Sequence, residues 1–585
     1  MLNDSDIVPE CQYKNNSSII NLSQEMKFAK QKYFIFFIGL IIVVILSFNY
    51  FFRVDLTSDK RFTIARQTKS LMSQVESPLK VTVYLDGDLN PSFLRLKKST
   101  VQLLDELSVY SKKSIEVNFE NPSLAETSTQ RDEQYKKLVI RGLNPTTIYE
   151  RDKEGKSIEK IIFPWLEMTY NGKTVPVNLL KNVRGNSGEQ NLNISIENLE
   201  FEITDGIRQL VNREVTKIAF IEGHGELSEA ETYDVCKSLS RYFQIDRGVL
   251  ATNAAILDNY KAIIIAKPTL PFSETDKYII DQYIMNGGRV LWLIDPVRVA
   301  KENLSKSGLS PAIELDLNLS DQLFRYGIRI NPVLLQDVQC ASIPMNIAPA
   351  NANPQFEPSP WFFSPLLLTS PEHPITRNIT VVKSEFCSKI DIVGENSKRD
   401  VQFLLITSNN THVVGTPSTI DLSQTPKPND KTYFNLGYIP VAAIIEGVFE
   451  SDFANRMTPA GLTNTLPIKQ QSKITRQIIV ADGDIIRNET TGKASDSTTI
   501  PLGFDRYMNQ QFGNKDFVIN SVLYLADNDG WMQLRNRTIK LRLLNKQISS
   551  SEITFWQFTN VCLPIILLLL FGFIYQIQRK RKFTK

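Results

Sequence analysis

Histidine is scarce in this chain of 585 residues: there are three, His224, His373 and His412. They lie too far apart for the paired imidazoles of a zinc motif. Cysteine is almost as sparse. The five, Cys11, Cys236, Cys340, Cys387 and Cys562, form no CxxC pair, which argues against a zinc ribbon, a thioredoxin-type redox pair and a disulfide-dense scaffold. Excess charge is missing as well. Lys and Arg number 66 against 63 Asp and Glu, a formal net charge of +3, so no nucleic-acid partner is expected. A phosphate loop is also lacking. Gly155-Lys156-Ser157 and Gly172-Lys173-Thr174 end like one, but the glycine required five positions earlier is Glu150 or Glu167, so ATP hydrolysis has to come from another chain. Asp86-Gly87-Asp88 and Asp482-Gly483-Asp484 do not continue into EF-hand spacing and read as acidic turns at strand ends. No cofactor and no metal site are expected.

What is present is ordinary globular material, 42% hydrophobic and 22% charged, with room for about three or four domains. Two long apolar runs stand near its ends. Tyr33–Phe52 has roughly 20 residues without a charge, enough to span a bilayer. Phe555–Ile577 is the second, with Pro564 inside it and Trp556 and Tyr575 suited to the membrane interfaces. Arg579-Lys580-Arg581-Lys582 follows, and Lys14, Lys27, Lys30 and Lys32 precede the first run. By the positive-inside rule both tails, 1–32 and 578–585, are expected in the cytoplasm. The expected body, from about Arg53 to Ser551, then lies on the outer face of the membrane, held by a transmembrane helix at each end.

The body reads as α/β. Leu79–Leu85, Pro91–Tyr110 and Ile115–Phe119 make a strand, a helix and a strand, a βαβ unit. Leu138–Ile140, Ile161–Phe163, Leu166–Tyr170 and Thr174–Val177 read as further strands, with Asn171-Gly172 as a hairpin turn. Arg184–Asn193 reads as a linker and Ile196–Val211 as a helix. Three buried strands follow at Ile218–Ile221, Ala262–Ala266 and Val290–Ile294. The helix between the first two presents Val235, Cys236, Leu239, Tyr242 and Phe243; the next presents Ile279, Ile280, Tyr283 and Ile284. Ser228 with Glu231, and Ser273 with Asp276, are capping-box patterns, and Gly287-Gly288 suits a left-handed helix end. Alternation of this kind predicts a parallel, doubly wound sheet. The proline-dense stretch 343–374 reads as an ordered extended insertion or partner-binding loop, neither helix nor central strand. Strands are expected again at Val401–Thr407, Val441–Phe449 and Gln477–Ala481, and a closing helix at Phe517–Ala526. The domain boundaries read as 53–190 and 191–545.

Several passages, taken in order, resemble one family. They are LTSDKRFTIA after the first apolar run, ENLEFEITDGIRQL, TDKYIIDQYIMNGGRVLWLIDP, WFFSPLLLTSPEHPITRNI and FGNKDFVINSVLYLAD. The chain resembles the GldG family of gliding-motility-associated ABC transporter auxiliary proteins of Bacteroidetes, over nearly all of its body. The resemblance implies an inner-membrane substrate-binding component that works with a separate permease and ATPase. It also implies a thioredoxin-like first domain and a second domain similar to class I glutamine amidotransferases.

The candidate ligand loop is Glu222, Gly223, His224, Gly225 and Glu226, after the first core strand and before a helix, where open α/β sheets bind ligands. It reads as a tight turn around a hydrogen-bonded histidine, as a site for an unknown periplasmic ligand, or as acid–base machinery. An amidotransferase needs a cysteine on a sharp turn after a core strand, and the equivalent place here reads Asp295-Pro296-Val297. No catalytic residue is therefore assigned, and a non-catalytic accessory subunit is expected. The alternative is a periplasmic hydrolase of envelope material acting through Glu222–Glu226.

Overall fold

The computed structural model describes residues 36–39, 41, 63–125, 127–151, 157–183, 186–211, 216–346, 348, 353–394, 398–424, 426–465, 467–491, 498–536 and 550–583. The chain divides into two units, Met1–Thr63 and Ile64–Lys585. Most of the first apolar run, 33–52, lies outside the described residues; Phe36–Gly39 and Ile41 within it are helical. The second unit is mixed α/β.

Its first sheet has four strands in the order Ile115–Phe119, Leu79–Val83, Trp165–Tyr170, Lys173–Asn178. The first two pair in parallel across the helix Pro91–Tyr110, which begins at a proline capped by Asn90. Asn171 and Gly172, with φ of 48° and 80°, turn the hairpin between the last two, as a two-residue loop of this composition requires. The long helix Gly188–Val211 lies against this sheet and shares its core through Ile196, Leu199, Ile203 and Ile207. Gly206 permits the close approach: a Cβ there would stand 2.7 Å from Val177 Cγ2. The helix begins within the polar stretch read as a linker. Leu138–Ile140 is not a strand but the last turn of a helix, Ser128–Ile140. Three apolar residues cannot distinguish the periods. Tyr135 and Leu138, three apart on one face, pack with Phe163, whereas Ile140 is exposed.

The large sheet runs Cys340–Asn346, Phe356–Thr369, Arg399–Ile406, Pro440–Gly447, Thr475–Val480, Val290–Leu293, Ala262–Ala266, Thr216–Glu222, Phe243–Val249. The last five are parallel and the first four join antiparallel. Every residue of Ala262–Ala266 and Val290–Leu293 is buried, so both faces of the sheet are covered. Each isoleucine so placed contributes about 1.5–3 kcal/mol. The helix Glu274–Met285 starts at Ser273, whose Oγ accepts from the Asp276 N–H, and ends at Gly287 with φ 96°. The closing helix, Asn514–Ala526, packs against the helix Tyr233–Leu239 and the central strands.

Phe243 does not continue the preceding helix, which stops at Leu239; it opens the parallel edge strand Phe243–Val249. Leu239, Tyr242 and Phe243 fit the helical period while Phe243 and Ile245 fit the strand period, and pairing with Thr216–Glu222 decides. The proline-dense stretch contains a strand of 14 residues, Phe356–Thr369, within the sheet. Pro358 and Pro360 lie where it pairs with Cys340–Asn346 alone. Beyond them Pro365 sits at the irregularity opposite Cys340, with its carbonyl accepting from the Ser384 N–H, Leu366 and Leu367 pair with Val382–Lys383, and Leu368 and Thr369 pair with Arg399–Ile406. A one-sided arm tolerates missing N–H donors as an edge strand does.

The helix Ser550–Phe583 carries Pro564 and includes all of Phe555–Ile577. Its candidate spanning segment, Glu552–Lys582, has 31 residues, and none of its most apolar 18-residue window, whose mean hydropathy is 2.2, is buried. It is the one described helix long and apolar enough to cross a membrane, and its exposed Leu and Phe side chains have no protein core to pack into.

Candidate functional site

The five parallel strands place the topological switch point beside Thr216–Glu222: the chain runs from it to Phe243–Val249 on one side and then crosses back to Ala262–Ala266 on the other. A ligand crevice is expected at the strand ends there. Glu222–Glu226 occupies one side of it. Gly223 and Gly225 have φ of 112° and 70°, a backbone path open to glycine. The other side is the loop after Ala266, and the two are joined. The Thr269 and Leu270 N–H groups both donate to the His224 carbonyl at 2.8 Å, the Leu227 N–H donates to the Ala266 carbonyl at 3.0 Å, and Thr269 Oγ1 donates to the Gly225 carbonyl at 3.0 Å.

The loop's side chains do not converge on open space. His224 is buried with its ring stacked on Phe272, centroids 3.6 Å apart. Its Nδ1 meets Glu226 Oε1 at 2.9 Å and its Nε2 meets Asp276 Oδ2 at 3.3 Å. Burial alone would lower its pKa, but the two carboxylates override burial and raise it to about 9. His224 is therefore an imidazolium at neutral pH, with both nitrogens donating. The second oxygen of Glu226 accepts from the His224 backbone N–H at 2.7 Å. Glu222 turns away and meets Arg247 Nε at 2.7 Å. The arrangement ties the loop to the first turn of the helix Glu274–Met285.

A second cluster assembles at the ends of three adjacent strands. Lys267 follows Ala262–Ala266, Asp295 follows Val290–Leu293, and Asp482 and Asp484 follow Thr475–Val480. Lys267 Nζ lies 3.0 Å from Asp295 Oδ2 and 2.5 Å from Asp484 Oδ2. Lys267 has φ 56°, a left-handed conformation costing a non-glycine residue about 1–3 kcal/mol, which the ion pairs offset. Gly483 has to be glycine, because a Cβ there would stand 2.6 Å from Lys267 Cβ. Burial pushes the Asp482 carboxyl well above the usual range, with Asp295 and Asp484 adding to the shift. Asp482 accepts from the Glu385 N–H at 2.9 Å and the Asp484 N–H at 2.8 Å. At the rim Lys301 pairs with Glu385 at 2.6 Å, and Arg487 with Glu231 at 3.0 Å. The sequence presents Asp482 and Asp484 as an acidic turn and Asp295 as part of an unrelated Asp-Pro-Val turn. The available signal was their position, each just past a buried run in a strand of the same sheet.

The remaining candidates are apart. Burial raises the thiol pKa of Cys236 and Cys387, and that of Cys340 to about 12, so none is the thiolate that nucleophilic chemistry needs. Asp295, just past the core strand Val290–Leu293, is engaged with Lys267 and the Gly483 N–H. His373 is buried; burial and Arg476 lower its pKa to about 4. His412 stacks on Tyr433. Gly172-Lys173-Thr174 is the hairpin, and 152–156 lie outside the described residues. Asp86 and Asp88 pair with Lys97 and Lys160.

A family model described as an ABC-type uncharacterized transport system matches residues 216–521, and a domain of unknown function matches residues 58–169. An uncharacterized protein of Borreliella burgdorferi is 22% identical over 547 residues, spanning 91% of this chain and 94% of its own. Among solved structures, the mmIFT52 N-terminal domain aligns at 13% identity with a TM-score of 0.31, over 54% of this chain and 99% of that one. That score is too low to carry an argument.

Proposed function

We propose that this chain, which belongs to the ABC-type uncharacterized transport system family, is a non-catalytic, membrane-anchored accessory subunit that works with a separate permease and ATPase. The observation that supports a non-catalytic role most directly is the sealed switch point. The loops on its two sides bond to each other, and the acids and bases at the strand ends are spent on one another. General acid–base or nucleophilic catalysis needs such groups free to reach a substrate. The hydrolase reading needs Glu222, His224 and Glu226 to converge, and Glu222 faces Arg247 instead.

The family resemblance supports a finer reading. The transporter serves gliding motility in a Bacteroidetes-type inner membrane, both tails are cytoplasmic, and the body meets an unknown ligand in the periplasm. Two anchors belong to this reading, 33–52 and 555–577, as do a thioredoxin-like first domain and an amidotransferase-like second one. The test is pull-down of the detergent-solubilised chain, which should recover a permease and an ATPase. Recovery of the chain alone, under conditions that keep other transporters intact, overturns the reading. Replacing Phe558–Ile577 with a polyleucine-type span should leave the chain in the membrane and weaken recovery of the permease. Thr559, Asn560, Pro564 and Gly572 suit contact with protein better than contact with lipid.

A further inference from the structure

A cavity of about 290 Å³ opens between the C-terminal half of the helix Gly188–Val211, the start of the edge strand Phe243–Val249, and the segment from Leu523 to Trp531. It thus lies where the helix packed on the first sheet meets the large sheet, and contacts between two cores are a common place for small ligands. Lys173, Arg208 and Arg241 line it, and none of the three forms an ion pair among the described residues.

Two buried polar atoms of its lining residues have no partner. Trp531 is 4% exposed, and its indole N–H donates to nothing. Asp205 Oδ2 accepts from the Tyr242 hydroxyl and from Gln209, each at 2.8 Å, but its Oδ1 is unpartnered. A buried polar atom left so costs about 1–3 kcal/mol, and two in one cavity are an unfilled hydrogen-bonding demand. The Trp531 ring is held by Phe201, stacked at 4.4 Å, and by the Arg208 guanidinium at 4.8 Å. The larger hollow along the helix Ser128–Ile140 has no such orphaned group.

We propose that this cavity binds a small oxyanion-bearing molecule, a carboxylate or a phosphate, held by Arg208, Arg241 and the Trp531 indole N–H. Guanidinium groups match both oxyanions with paired donors, and the indole supplies a donor only. Burial raises the Asp205 pKa to about 7, so Asp205 is readily protonated and can donate to the anion instead of repelling it. The site is independent of the strand-end loops and of the transporter reading.

The test uses the full chain in detergent and its intrinsic tryptophan fluorescence. Inorganic phosphate and succinate are titrated separately, with sodium chloride at matched ionic strength as control. A saturable change with phosphate or succinate, lost in Trp531→Phe, is expected; whichever anion saturates identifies the class. The apparent affinity should fall at least tenfold in Arg208→Gln and in Arg241→Gln, and stay unchanged in Lys306→Gln. Arg241 is exposed, so its substitution leaves the fold intact. The proposal is overturned by an equal response to chloride, by no saturable response to either anion, or by undiminished affinity in Arg241→Gln.

Discussion

Two loops leave neighbouring parallel strands at the same edge of the large sheet, and each buries a cation between carboxylates. After Thr216–Glu222, His224 lies between Glu226 and Asp276. After Ala262–Ala266, Lys267 lies between Asp295 and Asp484. The first needs only one short loop and one helix start. The second joins residues as far as 217 positions apart. They also differ in how they respond to protons. An imidazolium with a pKa raised to about 9 loses its charge within ordinary buffers, whereas the two carboxylates outweigh burial and raise the Lys267 pKa further above the usual lysine value. One junction is pH-sensitive and local; the other is pH-insensitive on the alkaline side and holds distant segments together.

The sharpest way to break this comparison is Lys267→Met. It leaves Asp295 buried without its cation, Asp484 keeping Arg487 at 3.5 Å, and breaking a buried pair in this way costs about 3–5 kcal/mol. Chemical denaturation of the detergent-solubilised chain should show a lower unfolding midpoint. A loss smaller than that of the histidine variant would mean that the carboxylates simply take up protons.

Next in size is His224→Gln, which removes charge-assisted bonds to Glu226 and Asp276 and should cost about 2–3 kcal/mol near neutral pH. The pH dependence carries its sign. The folded pKa of His224 lies above the ordinary 6.5, so its stabilisation is complete below about pH 6.5 and is lost as pH rises through about 9. Thermal melts of the wild type should therefore decline across that window, and those of His224→Gln should be flatter. Parallel curves would remove His224 as the titrating group.

The smallest expected effect is Ser273→Ala, about 1 kcal/mol for a lost N-cap. Ser273 Oγ also donates to Asp276 Oδ2 at 2.6 Å. The variant thus asks whether Asp276 is oriented by the cap or by His224. If the cap orients it, the alkaline decline of the wild type should shift to lower pH, read by the same melts.

Local order was legible in the residues. Strands at Ala262–Ala266 and Val290–Leu293, the helix with Ser273 at its cap and Gly287 past its end, and the Asn171-Gly172 turn follow from rules acting over a few positions. Where two periods fit equally, at Leu138 and at Phe243, only partners across the fold decided. The prolines of Phe356–Thr369 argued against a central strand, since nothing in a sequence says where along its length a strand has one neighbour and where two. The pentapeptide Glu222–Glu226 is legible because it is contiguous, yet the outside bonds that occupy it come from Arg247, Asp276, Thr269 and Leu270. The Lys267 cluster and the Asp205–Trp531 cavity have no local signature. Each exists because strand order brings distant segments together, and burial then gives single charges and unpaired polar atoms an energetic weight that they lack in an unfolded chain.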